Sequence, residues 1–181
     1  MRTLFTCILI SGCSSLLAQS YTLDNDLSTI AFAIRNFGVT VKGEFQDAGG
    51  ELVLNEEDPT TSSFKAYVQA ASIATGIGLR DKHLREDAYL DVKHFQKITI
   101  TSRQVSRENN KWSATVWVTI KDVTRDLSID FELDKKERGC TFTSTFKLNR
   151  LDFNVGANSF TLADDVIVTL KVVGVEKPRL P

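Results

Sequence analysis

The chain has 181 residues, of which 42% are hydrophobic and 25% are charged, and its formal net charge at pH 7 is −1. This composition excludes a disordered chain and indicates a single domain with a full apolar core. Basic and acidic residues are interleaved, so no basic stripe indicates a nucleic-acid partner and no block of charge indicates a tail.

Met1 to Ala18 has the pattern of an export signal. Arg2 supplies the positive end, an apolar run follows, and small residues precede a cleavage position after Ala18. The run is interrupted by serine and glycine and is shorter than the roughly 20 apolar residues of a membrane span. Because Ile10 to Cys13 also resembles a bacterial lipoprotein signal, lipidation at Cys13 is the alternative. We therefore predict an exported protein, periplasmic or secreted, with no transmembrane segment in the mature chain.

From Ile30 onwards, apolar and polar residues alternate with the period of two that is typical of β-strands. Segments with turn compositions separate the alternating runs. They are Asp47–Gly50, Asn55–Ser63, Glu108–Asn110, Lys121–Asp122, Lys135–Gly139 and Asp152–Ala163. Eight or nine antiparallel strands follow from this pattern, in one all-β domain over residues 21–176. A sandwich also fits, but large inward-facing phenylalanines favour an up-and-down barrel of about eight strands.

Gly76 to Phe95 is the one stretch after the signal that is not typical of strands and turns. We predict a short helix from Leu79 to Arg85, followed by an ordered loop that covers one side or the mouth of the barrel. Its expected apolar anchors are Leu79, Leu84, Tyr89, Leu90 and Phe95.

The same stretch contains both histidines, His83 and His94, together with the carboxylates of Asp81, Asp87 and Asp91. Imidazole and carboxylate groups bind transition metals, but these histidines lack the spacing of an HxH or HExxH motif. We therefore predict no metal site. Charge-assisted hydrogen bonds that tie the helix to its neighbours are the expected role of Arg80, Asp81, His83 and Arg85.

No residue has the sequence context of a catalytic nucleophile. Ser72, Ser102 and Ser128 lie outside any nucleophile-elbow sequence. Cys140 is the single cysteine after the signal and alternates in phase with Phe142, so we expect a buried, inert thiol.

Three other side chains have expected structural roles. Arg150 and Asp152 are expected to form a local ion pair. Trp117 is out of phase with the rest of its strand, so it is expected on the outer surface, as cover for the Gly76–Phe95 stretch or in an interface.

Several stretches together resemble the YceI-like polyisoprenoid-binding proteins. They are IAFAIRNFGVTVKGEFQDAGGEL, SIATGIGLRDKHLREDAYLDVKHFQKITITS, VTIKDVTRDLSIDFEL, LNRLDFNVG and LADDVIVTLKV. The most specific piece is the RDKHLR hexad, Arg80 to Arg85, with Tyr89 and Asp91 downstream. The resemblance extends from Tyr21 to about Glu176, and its motif residues, to which we assign a structural role, are Arg80, Asp81, His83, Leu84 and Arg85.

The resemblance implies a lipocalin-like extended antiparallel barrel with an elongated apolar cavity. It further implies that the protein binds, carries or stores a long-chain isoprenoid or related amphiphile, such as a polyprenyl or quinone-like lipid, in the bacterial cell envelope. Where many members have a histidine before the first corner, this chain has Asn36 beside Arg35. A head-group contact through an imidazole at that position therefore has no counterpart here.

The cavity is predicted to be lined by the apolar residues that are in phase along the strands. These residues are Phe32, Ile34, Val41, Phe45, Val68, Ile100, Val116, Val118, Ile129, Phe131, Phe142, Phe146, Val168 and Leu170. We expect no cofactor besides a bound isoprenoid or quinone-like lipid. Two alternatives stay open, an envelope stress or interaction module with a filled barrel and an enzyme that uses His83 and nearby carboxylates. A homodimer is also open, through exposed edges and aromatic side chains.

Overall fold

A computed structural model describes residues 18–137 and 139–177 of the chain. The predicted export signal, apart from Ala18, and the alternative lipidation position Cys13 lie outside the described residues. In the described ranges, no helix has the length and apolar character needed to span a membrane.

The described residues contain ten β-strands, one α-helix and three short 3₁₀ turns. The strands are β1 (Gln19–Asn36), β2 (Val39–Phe45), β3 (Ala48–Leu54), β4 (Ser63–Gln69), β5 (Ile73–Ala74), β6 (Lys97–Glu108), β7 (Lys111–Ile120), β8 (Val123–Lys136), β9 (Gly139–Asn149) and β10 (Leu162–Glu176). The helix, α1, is Gly78–Leu84, and the 3₁₀ turns are Pro59–Thr61, Ala70–Ser72 and Arg150–Phe153.

All ten strands belong to one antiparallel sheet that closes on itself. β10 pairs with β9 on one side and with β1 on the other, in a register that runs from Tyr21 opposite Glu176 to Asn36 opposite Leu162. β2 and β3 pair with successive parts of β1, and β5 and β4 pair with β2 and β3 in turn. β2 and β3 together therefore occupy one strand position of the barrel, and β4 and β5 together occupy the next one. The fold is therefore a closed eight-stranded antiparallel barrel, which confirms the predicted all-β class.

The interruption between β2 and β3 arises at a bend in β1, where the register against β10 shifts between Asp24 and Thr29. The side chain of Asn25 bridges the gap, accepting a hydrogen bond from the Ala48 amide at 2.7 Å. The predicted turn at Asp47–Gly50 is wrong, because β3 already begins at Ala48. Its glycines serve close packing instead: a Cβ at Gly49 would lie 2.7 Å from the Tyr67 ring.

Several predicted turns and the predicted helix are confirmed. Asn109 and Asn110 connect β6 to β7 with positive φ angles of 48° and 66°, a conformation that asparagine tolerates well. Lys121, with a φ of 56°, begins the turn between β7 and β8. The predicted helix from Leu79 to Arg85 is α1, shifted by one residue.

Aromatic rings fill one end of the barrel, near the turns between β6 and β7 and between β8 and β9. The ring of Phe131 stacks on Phe142 at 4.4 Å and on Trp112 at 5.8 Å, and Phe64 lies 5.7 Å from Phe142. The side chains that complete this packing are fully buried, and they are Tyr21, Val105, Ala114, Val116 and Ile129. The open space inside the barrel therefore lies in its other half.

Candidate ligand cavity

The other half of the barrel encloses a cavity of about 350 Å³. This volume lies within the range of small-molecule binding sites, roughly 300–1,000 Å³. Its walls come from strands β1 to β7, β9 and β10, and the Gly76–Phe95 stretch covers one side. This space argues against the filled barrel that one of the alternatives assumed.

Ten of the fourteen predicted lining residues surround this cavity. They are Phe32, Ile34, Val41, Phe45, Val68, Ile100, Val118, Phe146, Val168 and Leu170. They meet because alternate residues of every strand face the interior of a closed barrel. Contact with a ligand remains a prediction for each of them.

The structure places the other four predicted residues, Val116, Ile129, Phe131 and Phe142, in the closed end instead of around the cavity. All four face the interior, so the alternation assigned their direction correctly. Their position along the barrel axis differs from that of the ten lining residues. Phe131, for example, is stacked between Trp112 and Phe142 in the packed end. The alternation of a strand carries no information about this position.

Other lining residues were missed by the sequence prediction. Those on strands include Leu23, Ile30, Ala66, Ile98, Ile120, Leu148, Val166 and Val172. Most of them are in phase with predicted neighbours, so the same alternation could have found them. Leu84, Tyr89 and Leu90 line the cavity from the covering stretch, where no strand periodicity exists.

The covering stretch is fixed to the barrel by two arginines and one aspartate. Arg85 donates from Nε to the Ala71 carbonyl at 2.7 Å and from Nη2 to the Ile73 carbonyl at 2.8 Å. Asp81 accepts hydrogen bonds from the amide and the hydroxyl of Thr75. Arg80 donates from Nε to the same hydroxyl oxygen at 2.7 Å. These bonds fix the start and the end of α1 against residues 71–75, which include β5.

Each of the two histidines is exposed and lies beside a carboxylate three residues away in sequence. His83 Nδ1 is 3.2 Å from a Glu86 carboxylate oxygen, and its ring packs edge-on against Tyr89 at 4.9 Å. His94 Nδ1 is 2.8 Å from Asp91. Among the described residues, no three His, Cys, Asp or Glu side chains are arranged to hold a metal ion.

The far side of the covering stretch is fixed to the loop between β9 and β10. The Gly156 amide donates to the Ala88 carbonyl at 2.8 Å. Lys121 bridges both segments, with Nζ 3.3 Å from the Asp87 carbonyl and 3.1 Å from the Asn154 carbonyl. The cavity is therefore closed along this side.

Arg150 is the buried cation of the cavity wall, and its predicted pairing with Asp152 is wrong. Its Nη2 lies 2.9 Å from the carboxylate of Asp164. Its Nε donates to the Ala163 carbonyl at 3.0 Å and its Nη1 to the Val155 carbonyl at 2.9 Å. The side chain is only 4% exposed, so it acts as an internal scaffold for the loop between β9 and β10.

We infer that the cavity opens between β2 and α1. In the described part of the chain, Val39–Gly43 pairs with β1 alone, because β5 pairs only with Glu44 and Phe45. Asn36 and Arg80 line the cavity at this level, and exposed His83 lines it as well. The cavity therefore reaches solvent through a lateral slot with polar groups at its margin. We call this the slot.

Two residues outside the cavity have the predicted position: Cys140 is buried and Trp117 lies on the outer surface. Cys140 is 2% exposed, and burial raises the pKa of its thiol from 9.0 to about 11. Trp117 lies on the outer wall, where the Arg103 guanidinium stacks on its ring at 5.0 Å. Cys140 is therefore protonated at neutral pH, and Trp117 packs with a strand neighbour.

The closed barrel, the aromatic packing at one end and the apolar cavity at the other define the class of eight-stranded antiparallel β-barrels with an internal cavity. The family model described as YceI-like domain matches residues 21–174. The chain belongs to the YceI-like family.

Similar proteins are known by sequence and by structure. The UPF0312 protein plu2095 of Photorhabdus laumondii is 26% identical over 178 residues, which cover 93% of each chain. The crystal structure of Burkholderia cenocepacia BcnA matches with a TM-score of 0.79 at 19% identity, over 83% of this chain and 98% of that one. A structure described as a polyisoprenoid binding domain from Saccharophagus degradans matches with a TM-score of 0.68 at 13% identity, over 88% and 99%.

Proposed function

We propose that this protein binds a long-chain isoprenoid or a related amphiphile in its cavity, for carriage or storage in the bacterial cell envelope. The observation that supports this most directly is the apolar cavity of about 350 Å³, closed by aromatic rings at one end and bordered by polar groups at the slot. Membership of the YceI-like family and the fold of the polyisoprenoid binding domain from Saccharophagus degradans agree with the proposal.

The physical basis is the removal of an apolar tail from water. Each buried CH₂ group contributes roughly 0.8 kcal/mol, so several isoprene units offset the entropy lost on association and give micromolar or tighter affinity. The inner walls supply almost no polar groups, so they select for an apolar tail and not for a particular functional group. Asn36, Arg80, His83 and Tyr89 are available near the slot to orient a head group.

The cellular location and the lack of turnover are also parts of the proposal. Export rests on the Met1–Ala18 signal pattern, with an anchor at Cys13 as the alternative. We assign no reaction to the cavity, and a His83→Ala variant should leave ligand chemistry unchanged. A bound isoprenoid that is chemically altered by the wild type and not by this variant would contradict that assignment.

The test is extraction of the purified protein with organic solvent, followed by mass spectrometry, and titration of the delipidated protein with an isoprenoid quinone. We expect a co-purified amphiphile and saturable, micromolar or tighter uptake of the quinone. The matched control ligand is the same quinone ring without its tail, which should bind at least a hundredfold more weakly. Absence of both a co-purified amphiphile and saturable uptake would overturn the proposal.

A further inference from the structure

Large apolar side chains surround the end of the barrel at which the cavity opens. Five of them are more than half exposed, and they are Phe37, Val39, Ile77, Leu79 and Phe160. We call this set the apolar rim. The four other large apolar side chains exposed within the described residues are Leu27 on β1, Trp117 on β7, and Ile167 and Val175 on β10.

The rim comes from three separate segments that this end brings together. Phe37 lies in the turn between β1 and β2, and its amide donates to the carbonyl of Thr161, the residue that follows Phe160, at 2.9 Å. Ile77 precedes α1 and Leu79 lies within it, on the other side of the slot. Leu79 is 80% exposed, so its predicted role as an apolar anchor is wrong. The rim therefore spans the slot from the β1–β2 turn to the helix.

Phe37 is exposed at a backbone position that does not favour it. Its φ is 50°, and the following Gly38 has a φ of 75°, the left-handed pair in which asparagine and glycine are preferred. A bulky side chain at positive φ is uncommon in proteins. Phe37 is 76% exposed, so packing within the described chain does not explain the ring.

Cations accompany the rim. Arg35 precedes Phe37 and donates to the Gly38 carbonyl at 3.1 Å, and Lys82 lies on α1 beside Leu79. Among residues 18–137 and 139–177, neither has a carboxylate within 4 Å. The carboxylate of Glu86, on the same side, is paired with His83. Apolar side chains beside uncompensated cations fit an anionic lipid surface.

We propose that the apolar rim docks on the surface of a bilayer that contains anionic lipid, so that the slot faces the boundary between head groups and acyl chains. Aromatic rings are favoured at that boundary because they combine a large apolar area with a partly wet environment. In this position the slot receives a long isoprenoid directly from the bilayer, in which it is soluble, without passage through water. This role in transfer rests on the proposed function. The docking itself requires no cargo.

The experiment is sedimentation of the chain that begins at residue 19 with two kinds of vesicle, both free of isoprenoid. One kind is rich in phosphatidylglycerol and the other is pure phosphatidylcholine. We expect binding to the anionic vesicles that weakens as salt is raised. A Lys82→Ser variant should bind these vesicles about fivefold more weakly, as expected for one cation near an anionic surface.

The decisive variant combines Phe37→Ser with Phe160→Ser. It should lower the vesicle partition coefficient at least tenfold, because even partial burial of two aromatic rings contributes about 1.4 kcal/mol or more. The matched control combines Trp117→Ser with Ile167→Ser, which removes two exposed apolar side chains from the barrel wall. The control should bind vesicles like the wild type.

Any of three results would overturn the docking, two of them in the sedimentation experiment and one in solution. The first two are a wild type that does not sediment with anionic vesicles and a control pair that loses binding as strongly as the rim pair. The third is a wild type that self-associates in analytical ultracentrifugation and becomes monomeric in the rim variant, which would assign the rim to a second copy of the chain. Quinone uptake in solution is measured in parallel. Uptake without vesicle binding refutes docking alone. Vesicle binding without either quinone uptake or a co-purified amphiphile refutes the proposed function alone.

Discussion

The guanidinium of Arg150 pairs with the carboxylate of Asp164 at 2.9 Å, although Asp152 is much closer in sequence. Around this pair, Arg150 also donates to the carbonyl groups of Val155 and Ala163. A single buried side chain thus organises the loop that closes one side of the cavity. Its contribution to stability should exceed that of a pair with the same geometry on the surface.

An Arg150→Met variant should have a free energy of unfolding lower by about 3 kcal/mol, because several carbonyl groups lose a charged donor in a buried place. The matched control is Arg103→Met. Arg103 and Asp126 are paired at 2.8 Å, but their side chains are 49% and 65% exposed. The control should lose less than about 1 kcal/mol. Urea denaturation measures both, and equal losses would refute the scaffold role of Arg150.

Ala66 and Ala114 provide a second matched pair. Ala66 lines the cavity, whereas Ala114 is 1% exposed within the packed end. An Ala66→Phe variant should keep its stability and lose quinone affinity by tenfold or more, because the ring occupies space that the tail requires. An Ala114→Phe variant should lose about 1–3 kcal/mol of stability from overpacking. Quinone titration and urea denaturation separate the two effects; unchanged quinone binding by Ala66→Phe would place the ligand elsewhere.

Cys140 and Tyr21 should make the fold sensitive to alkaline pH. Burial raises the pKa of the Cys140 thiol from 9.0 to about 11 and that of the Tyr21 hydroxyl from 10.0 to about 12. The unfolded chain therefore loses these protons first as pH rises, and deprotonation favours unfolding. The contribution of Cys140 is fully present below pH 9 and is lost between pH 9 and about pH 11.

A Cys140→Ala variant tests this dependence. Between pH 8 and pH 11 the wild type should lose on the order of 2 kcal/mol more stability than the variant, while Tyr21 destabilises both at higher pH. Urea denaturation across this range measures the difference. Parallel curves for the two proteins would show that the thiol titrates alike in the folded and unfolded chains.

Arg85 should control the mobility of the covering stretch without controlling the barrel. An Arg85→Met variant loses both hydrogen bonds to the Ala71 and Ile73 carbonyls. Amide hydrogen exchange should accelerate by about tenfold within residues 76–95 and remain unchanged in β7 and β8. Lys93→Met, an exposed change in the same stretch, is the control and should leave the exchange unchanged. Faster exchange throughout the barrel would contradict this local role.

The alternation of side chains from Ile30 onwards predicted the antiparallel strands and their interior face, and the large inward-facing phenylalanines favoured a barrel over a sandwich. The alternation could not predict two features. The glycines at Gly49 and Gly50 have the composition of a turn, but they let neighbouring strands approach Tyr67 and Ala66 closely. Only the three-dimensional arrangement of the neighbouring strand distinguishes these roles.

The position of each interior residue along the barrel axis was the second feature beyond the reach of the sequence. Phe146 and Phe142 lie on the same strand and face the same interior, yet Phe146 lines the cavity and Phe142 belongs to the packed end. Their difference depends on the strand register and on which aromatic rings meet. The sequence motif Arg80–Arg85 located the covering helix correctly, because its contacts are local to the end of β5.

The unpaired margin of β2 has a consequence for the kind of molecule that the cavity can accept. A pocket sealed on every side must fit its occupant from end to end, whereas a gap in the side wall lets surplus carbon atoms trail outward. Such a cavity limits the cross-section of a hydrocarbon chain and does not limit its length.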